Sequence, residues 1–261
     1  MSGFYIGADG KARKVKGGYI GIDGKARKIK KGYIGVNGVA RLCWSGIESV
    51  FANNSWEEIA LACQTGQVPD TWKVGDQKTM TIDGVSYAVD IIGKNHDDYS
   101  DGSGKAPLTF QLHDCYKDAY MMNSSATNET GWVTSAMRAS HLPKILALMP
   151  DDVRGVIKEV QKRTVERGAS SSVITTADKL FLLSEVEVFG ALTYSQGGEG
   201  AQYAYYRNGN SKIKKVNDNT SSWWERSPQG DINDFCLVTL NGTAYHNKAN
   251  YGYGVSFAFC F

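Results

Sequence analysis

Three copies of a 14-residue unit open the chain: GFYIGADGKARKVK, GGYIGIDGKARKIK and KGYIGVNGVARLCW. The tyrosines fall at Tyr5, Tyr19 and Tyr33, and each unit carries one turn dipeptide, Asp9-Gly10, Asp23-Gly24 and Asn37-Gly38. Asp-Gly and Asn-Gly between short β-prone runs mark tight hairpins, because both central residues of a type I′ turn need positive φ. The repeat therefore predicts three consecutive β-hairpins. Hairpins this short bury no core of their own; they stack on each other or on copies from other chains. The Tyr-Ile side is expected to pack while the Lys/Arg side stays wet.

Charge divides the chain near the end of the repeats. Residues 1–42 hold ten Lys/Arg and two Asp, a balance of +8, and the rest holds 19 Lys/Arg against 25 Asp/Glu, a balance of −6. Two modules follow: a basic β-hairpin module over 1–44 and a larger domain over 45–261. No aromatic stacking platform interleaves with the basic residues, which favours attachment or oligomerisation over nucleic-acid binding. The five cysteines, Cys43, Cys63, Cys115, Cys236 and Cys260, are odd in number and form no CxxC pair. That pattern argues for free, buried thiols rather than a disulfide framework or a zinc site. No charged-then-apolar leader opens the chain and no apolar run reaches membrane-spanning length. The expectation is a protein made in a reducing cytoplasm, without a membrane segment.

From about residue 47 the pattern changes. SWEEIALACQTG predicts a helix with Ser55 as N-cap, Glu58 completing a capping box and Gly66 just past the end. TMTIDGVSYAVDIIG predicts a hairpin turning at Asp83-Gly84, and LTFQLHD, from Leu108, another strand. GWVTSAMRASHLPKILALMP predicts two short helices, the second launched by Pro143. EVQKRTV and KLFLLSEVEVF alternate or run apolar, as strands do. Helices early and strands throughout the second half place the larger domain in the α+β class.

Chemical motifs are sparse. GKNHDDYSDGSGKA brings His96, Asp97, Asp98 and Asp101 onto a Gly-rich loop. The spacing lacks the position-twelve carboxylate of an EF-hand, and Asx turns account for such a loop. No metal is expected there, with calcium as the alternative. His96, His113, His141 and His246 are scattered, and there is no nucleophile elbow, phosphate-cradling Gly loop or HExxH. No catalytic residue and no cofactor are expected, and the chain reads as non-enzymatic.

Several segments acting together resemble one known domain: SWEEI, WKVGDQKT, IIGKNHDDYSDGSGKAPLTF, GWVTSAMR, ITTADKLFLLSEVEVFG, and WWERSP followed by GVSFAF. The domain is one of uncharacterised function common in gut bacteria, their prophages and their phages. The resemblance spans roughly residues 50–261. Members end in a WWxRSP element, a hypervariable stretch and a GVRPAF-like last strand. The resemblance implies a C-type-lectin-like fold. Some members resemble the variable proteins of diversity-generating retroelements, in which adenine-directed mutagenesis rewrites one C-terminal region on a fixed scaffold. The YIGxxG-ARK repeats also resemble those that precede this domain in phage and prophage proteins. In GVSFAF, Ser256 and Phe257 stand where the family has Arg and Pro, so any ion pair of that Arg is absent.

Strand alternation divides the last region into a constant and a variable face. Cys236, Val238, Leu240, Gly242 and Ala244 are small or apolar, whereas the odd positions from Asp231 to Tyr245 are mixed. Asn241-Gly242 offers a tight turn, and His246 to Tyr253 reads as an exposed loop. Tyr supplies contact area at low entropic cost and Asn adaptable hydrogen bonds, the mixture that antibody binding loops favour. The expected variable segment runs from about 225 to 253. Its expected ligand-binding residues are Glu225, Gln229, Asp231, Asn233, Asp234, Phe235, Leu237, Thr239, Asn241, Thr243, Tyr245, His246, Asn247, Lys248, Asn250, Tyr251 and Tyr253. The flanks differ. Val255, Phe257, Phe259 and Phe261 alternate with small residues, as in a central buried strand. At least one of Trp223 and Trp224 is expected in the core.

The resemblance and the two-faced segment imply a receptor-binding protein, an adhesin of a phage or prophage tail tip or baseplate, resident in the virion tail after synthesis in the bacterial cytoplasm. Residues 1–44 would dock it to tail or baseplate proteins or to sister subunits, as a homo-oligomer such as a trimer. Its partner would be a host-cell surface receptor, protein or glycan. Two alternatives stand beside this. One is an enzyme of the sulfatase-modifying type, which shares the implied fold but needs a closely spaced reactive cysteine pair; Cys236 and Cys260 lie 24 residues apart. The other is nucleic-acid binding through the basic repeats.

Overall fold

The computed structural model describes residues 5–8, 10–14, 18–22, 24–29, 31–36 and 38–261. The chain divides into two compact units, Met1–Trp72 and Lys73–Phe261.

In the first unit six strands form three antiparallel pairs. β1 (Tyr5–Ala8) pairs with β2 (Lys11–Lys14), β3 (Gly18–Ile22) with β4 (Lys25–Ile29), and β5 (Lys31–Val36) with β6 (Val39–Ser45). Gly10, Gly24 and Gly38 hold φ of 72°, 71° and 78°, a conformation glycine adopts without steric penalty. Asp9, Asp23 and Asn37 lie outside the described residues, as do the side chains of Tyr5, Tyr19 and Tyr33. A 3-10 turn at Phe51–Asn53 leads to α1 (Trp56–Gln64). The Ser55 Oγ accepts from Glu58 N at 3.2 Å and Ser55 N donates to the Glu58 carboxylate at 2.7 Å, the reciprocal capping box expected from the sequence. Phe51 meets Trp56 and Trp72 edge-on, with centroids 6.4 and 5.4 Å away, in a buried aromatic cluster.

The second unit is mixed α and β, mostly β. β7 (Gln77–Ile82) and β8 (Val85–Lys94) turn at Asp83 and Gly84, whose φ are 48° and 74°. β9 (Leu108–Leu112) follows. A π-helical turn at Met137–His141 runs into α2 (Leu142–Leu148), with Pro143 in its first turn, and α3 (Asp151–Arg154) comes next. β10 (Val160–Val165) pairs antiparallel with β11 (Val173–Asp178). Then come α4 (Glu185–Phe189), α5 (Ala204–Arg207), β12 (Lys214–Val216) and β13 (Asn219–Ser221). The chain ends with β14 (Trp223–Pro228), β15 (Asp234–Val238), β16 (Ala244–Lys248) and β17 (Ala258–Cys260). One sheet has the order β17-β9-β8-β7 and another the order β14-β15-β16.

One expected element is corrected. KLFLLSEVEVF was expected as a strand, but its second half is helix α4. Ser184 and Glu187 form a capping box, and Gly190 ends the helix in the left-handed region at φ 71°. Local capping overrides the β-prone valines.

The terminal segment is buried, as its composition implies, although β17 stands at the end of its sheet rather than in the middle. Val255 to Phe261 are all buried. Ala258–Cys260 pairs with β9 on one edge, while bridges to Phe181 and Lys158 line the other. Ser256 Oγ donates to Leu112 O at 2.8 Å, so this hydroxyl is satisfied in the interior.

Candidate functional site

The WWERSP strand is the frame. All six residues of β14 are buried. Trp223 Nε1 donates to Lys212 O and Trp224 Nε1 to Tyr120 O, both at 2.9 Å, so each indole is core with its polar edge satisfied. β15 pairs along one edge of β14, with Trp223 opposite Val238 and Trp224 opposite Leu237. The other edge is closed by Gly254, which bridges Trp223 in parallel and accepts from Trp224 N at 3.0 Å. The segment between residues 228 and 254 therefore leaves and re-enters the same buried strand.

Arg226 reaches the opposite way, into an ionic network that ties β14 to β10 and α4. Its guanidinium donates to Leu182 O at 2.9 Å, Arg163 O at 3.1 Å, Glu199 O at 2.8 Å and Thr164 Oγ1 at 3.1 Å, and it pairs with the Glu187 carboxylate. Glu187 also accepts from Lys162 Nζ at 2.7 Å; the same ammonium donates to Asp97 Oδ1 at 2.8 Å and Tyr203 Oη at 3.1 Å. All of these side chains are buried. Burial pushes the Asp97 pKa up, but the Lys162 charge and hydrogen bonds from Lys162 and Thr109 outweigh it and hold the carboxyl at about 2. Glu187 is likewise lowered, because Arg226 and Lys162 together exceed its burial. Two buried cations thus balance two buried carboxylates. The third acid, Glu199, is pushed up to about 7 by burial, against the Arg226 charge and a Ser227 hydrogen bond.

His96, Asp97 and Glu187 bring ligand-type atoms within 4.8 Å of one another. The Lys162 ammonium already bridges the two carboxylates and lies 4.3 Å from the centre of the Phe181 ring. A lysine therefore performs the charge balance that a metal ion would, and the donor set reads as a structural network. His96, Asp97, Lys162 and Glu187 line a cleft of about 410 Å³ together with Gly198, Glu199 and Gly200. In the same loop Asp101 accepts from Ser103 N at 2.9 Å and Asp98 pairs with Lys105 at 2.9 Å, the local bonding expected of a turn-rich segment.

The expected ligand-binding residues separate into interior and surface. Glu225, Phe235 and Leu237 are buried and cannot meet a ligand. The reason is topological: β15 is the middle strand and both its faces are covered, so Phe235, Cys236, Leu237 and Val238 are all interior. Leu240, placed on the constant face by alternation, is 47% exposed. It stands in the reversal where Gly242, at φ 78°, donates to Thr239 O at 2.8 Å. His246, Asn247 and Lys248 belong to the edge strand β16 rather than to a loop. Asp231, Asn241, Thr243, Tyr245, Lys248 and Tyr251 are exposed; Gln229, Asn233, Asp234, Thr239, His246, Asn247, Asn250 and Tyr253 are half-buried. Several of these hold one another. His246 Nδ1 contacts Asp234 Oδ2 at 2.7 Å, and Asn247 Nδ2 donates to Tyr253 Oη at 2.7 Å.

Sequence reasoning missed two participants. Tyr194 packs its ring 6.2 Å from that of Tyr245 and 4.8 Å from that of His246. Buried Glu185 accepts from the backbone N–H of Thr193 and Tyr194 at 3.1 Å and of Ser195 at 2.8 Å, and so sets the loop carrying Tyr194. Only the Ser184-x-x-Glu187 cap, with the loop it implies after the helix, signals this in the sequence. Glu225 has neither carboxylate oxygen bonded among the described residues. Burial, then the charges of Glu185 and Glu199, push its pKa well up.

Cys236 and Cys260 lie in different sheets, and both are fully buried. Burial raises both thiols, with the charge of Glu225 next for Cys236 and that of Asp97 next for Cys260. Such thiols are poor nucleophiles. No helix among the described residues is long and apolar enough to cross a membrane.

Residues 108–261 match the model of a family described as a domain of unknown function (DUF6273). No curated protein and no solved structure matches the chain.

Proposed function

We propose, from the premise that this chain belongs to the DUF6273 family, that it is a non-enzymatic binding protein displaying a changeable side-chain surface on a fixed frame. The observation that carries the reading is the contrast within one short region. All of Trp223 to Pro228 and Gly254 to Phe261 is buried, while Asn241, Thr243, Tyr245, Lys248 and Tyr251 between them are exposed. Substitution at an exposed position usually shifts stability by less than about 0.5 kcal/mol, so such a surface can vary while the fold persists.

The frame is of the C-type-lectin-like kind, as the motif resemblance implies, and the protein serves as an adhesin of a phage or prophage tail. Residues 1–44 attach it to tail or baseplate proteins or to sister subunits. Its ligand is a receptor on the bacterial host surface. Fold alone would not imply sugar binding.

The test compares purified full-length chain with Tyr245→Ala/Lys248→Glu and with Leu237→Ala, by retention on a panel of gut bacterial isolates and by urea unfolding. The surface variant should unfold within about 0.5 kcal/mol of the parent yet lose retention on the strain that holds the parent. Leu237→Ala should lose about 2–5 kcal/mol of stability. Full retention by the surface variant, or no strain holding the parent, overturns the reading.

A further inference from the structure

The loop built on Glu185 meets the exposed part of β16 although it lies some 50 residues away in sequence. Thr193, Tyr194 and Ser195 aim three consecutive backbone N–H groups at one buried carboxylate, and the Ser195 hydroxyl adds a fourth bond at 2.7 Å. Four hydrogen bonds converging on one buried carboxylate fix three consecutive residues, so this loop is held rather than loose. Its ring-bearing residue, Tyr194, completes a cluster in which Tyr245 and His246 are 5.2 Å apart and nearly parallel, at 21°. Tyr194 stands edge-on to Tyr245, at 78°. Tyr245 remains 48% exposed and Leu192, in the same loop as Tyr194, also 48%.

We infer that the binding surface is composite: Tyr194 is a second-segment binding residue, Glu185 positions it, and the partner they fit is a protein surface. The inference rests on the display reading above and extends it to residues outside the changeable segment. Tyr194 gives β16 a constant aromatic neighbour whatever residues 245 and 246 become. The partner class follows from the company the rings keep. Leu192, Leu240 and Ile213 are 48%, 47% and 45% exposed, and Ile213 lies against the Gly242 turn. Burying these aliphatic groups as well as Tyr needs an apolar partner surface, and aromatic anchors in a modestly polar rim are the composition of protein–protein contacts. A glycan would use the rings and leave the aliphatic groups wet; a polyanion would need clustered cations, whereas Lys248 is the one Lys or Arg among residues 229–253 and Lys212, beside Ile213, is engaged over the Phe189 ring at 5.5 Å.

The experiment uses the full chain and a gut isolate that retains it. Tyr194→Ala should lower retention about tenfold without changing the unfolding midpoint, the loss of a moderate anchor, while Tyr194→Phe keeps the ring and most of the retention. Leu148→Ala, exposed elsewhere, serves as the neutral control. Trypsin treatment of the cells should abolish retention and periodate treatment should leave it. If Tyr245→Ala loses retention and Tyr194→Ala does not, the composite surface falls while the display reading stands. If neither variant loses retention, both fall. Loss after periodate but not trypsin overturns the protein partner in favour of a glycan.

Discussion

Arg226 shows how one side chain can organise a motif. It is wholly buried, and its donors are used by Glu187, Thr164 and three backbone carbonyls. Removing one member of a buried ion pair leaves an uncompensated charge, at a cost of about 3–5 kcal/mol. Arg226→Met should lower the unfolding free energy by that amount in urea titration, and Arg226→Met with Glu187→Gln should recover part of it. Two acids in the same network titrate in opposite senses. Glu199 rises from an ordinary 4.5 to about 7, so the folded chain holds that proton more tightly than the unfolded chain. Its contribution is complete below about 4.5 and is lost as pH rises through about 7. Asp97 falls from 3.8 to about 2, so its contribution is complete above 3.8 and lost as pH drops through about 2. The stability difference between the parent and Glu199→Gln should therefore change by something on the order of 3 kcal/mol between pH 4.5 and 8, and a flat difference would contradict the assignment. Arg226 and the two tryptophans stood out in the sequence as a motif. Phe235 and Leu237 were misplaced because alternation shows that two faces exist, not that both are covered.

At the scale of elements, short signals decided most outcomes. Asp83-Gly84 set its hairpin, and Ser55 with Glu58 set α1, because each acts within four residues. The same chemistry at Ser184 and Glu187 made a helix of a stretch whose valines suggested a strand. What local signals could not supply was adjacency. Gly254 lies along β14, and a Cβ there would come within 2.6 Å of Cys115 Sγ and 3.1 Å of Ser222 O. Gly254→Ala should cost about 1–3 kcal/mol as an overpacking change, read by urea unfolding, and Cys115→Ala in the same chain should restore part of it. Failure of the second change to help would mean that the Ser222 backbone, not the thiol, sets the limit.

At the scale of the whole molecule, the second unit holds its own sheets and its ionic network. Residues 73–261 made alone should unfold cooperatively, with matching transitions by circular dichroism and fluorescence. On the proposed function, deleting 1–44 should abolish assembly in analytical ultracentrifugation and leave that transition in place; assembly that persists would remove the attachment role. With Cys43 replaced by Ser, no thiol should react with a bulky disulfide reagent until unfolding, since Cys63, Cys115, Cys236 and Cys260 are buried.

By itself the sequence determined the capped helix, the mixed α and β class of the larger domain and the buried terminal segment. Each of these follows from periodicity or from bonds between near neighbours, which a linear reading contains. Only the tertiary structure decided which face of β15 is open, and the answer is neither. It also brought Tyr194 beside Tyr245 and gave Lys162 the place of a cation between Asp97 and Glu187. Those results depend on what lies across space from a residue, and long-range pairing is set by the packing of the whole core rather than by any stretch of chain.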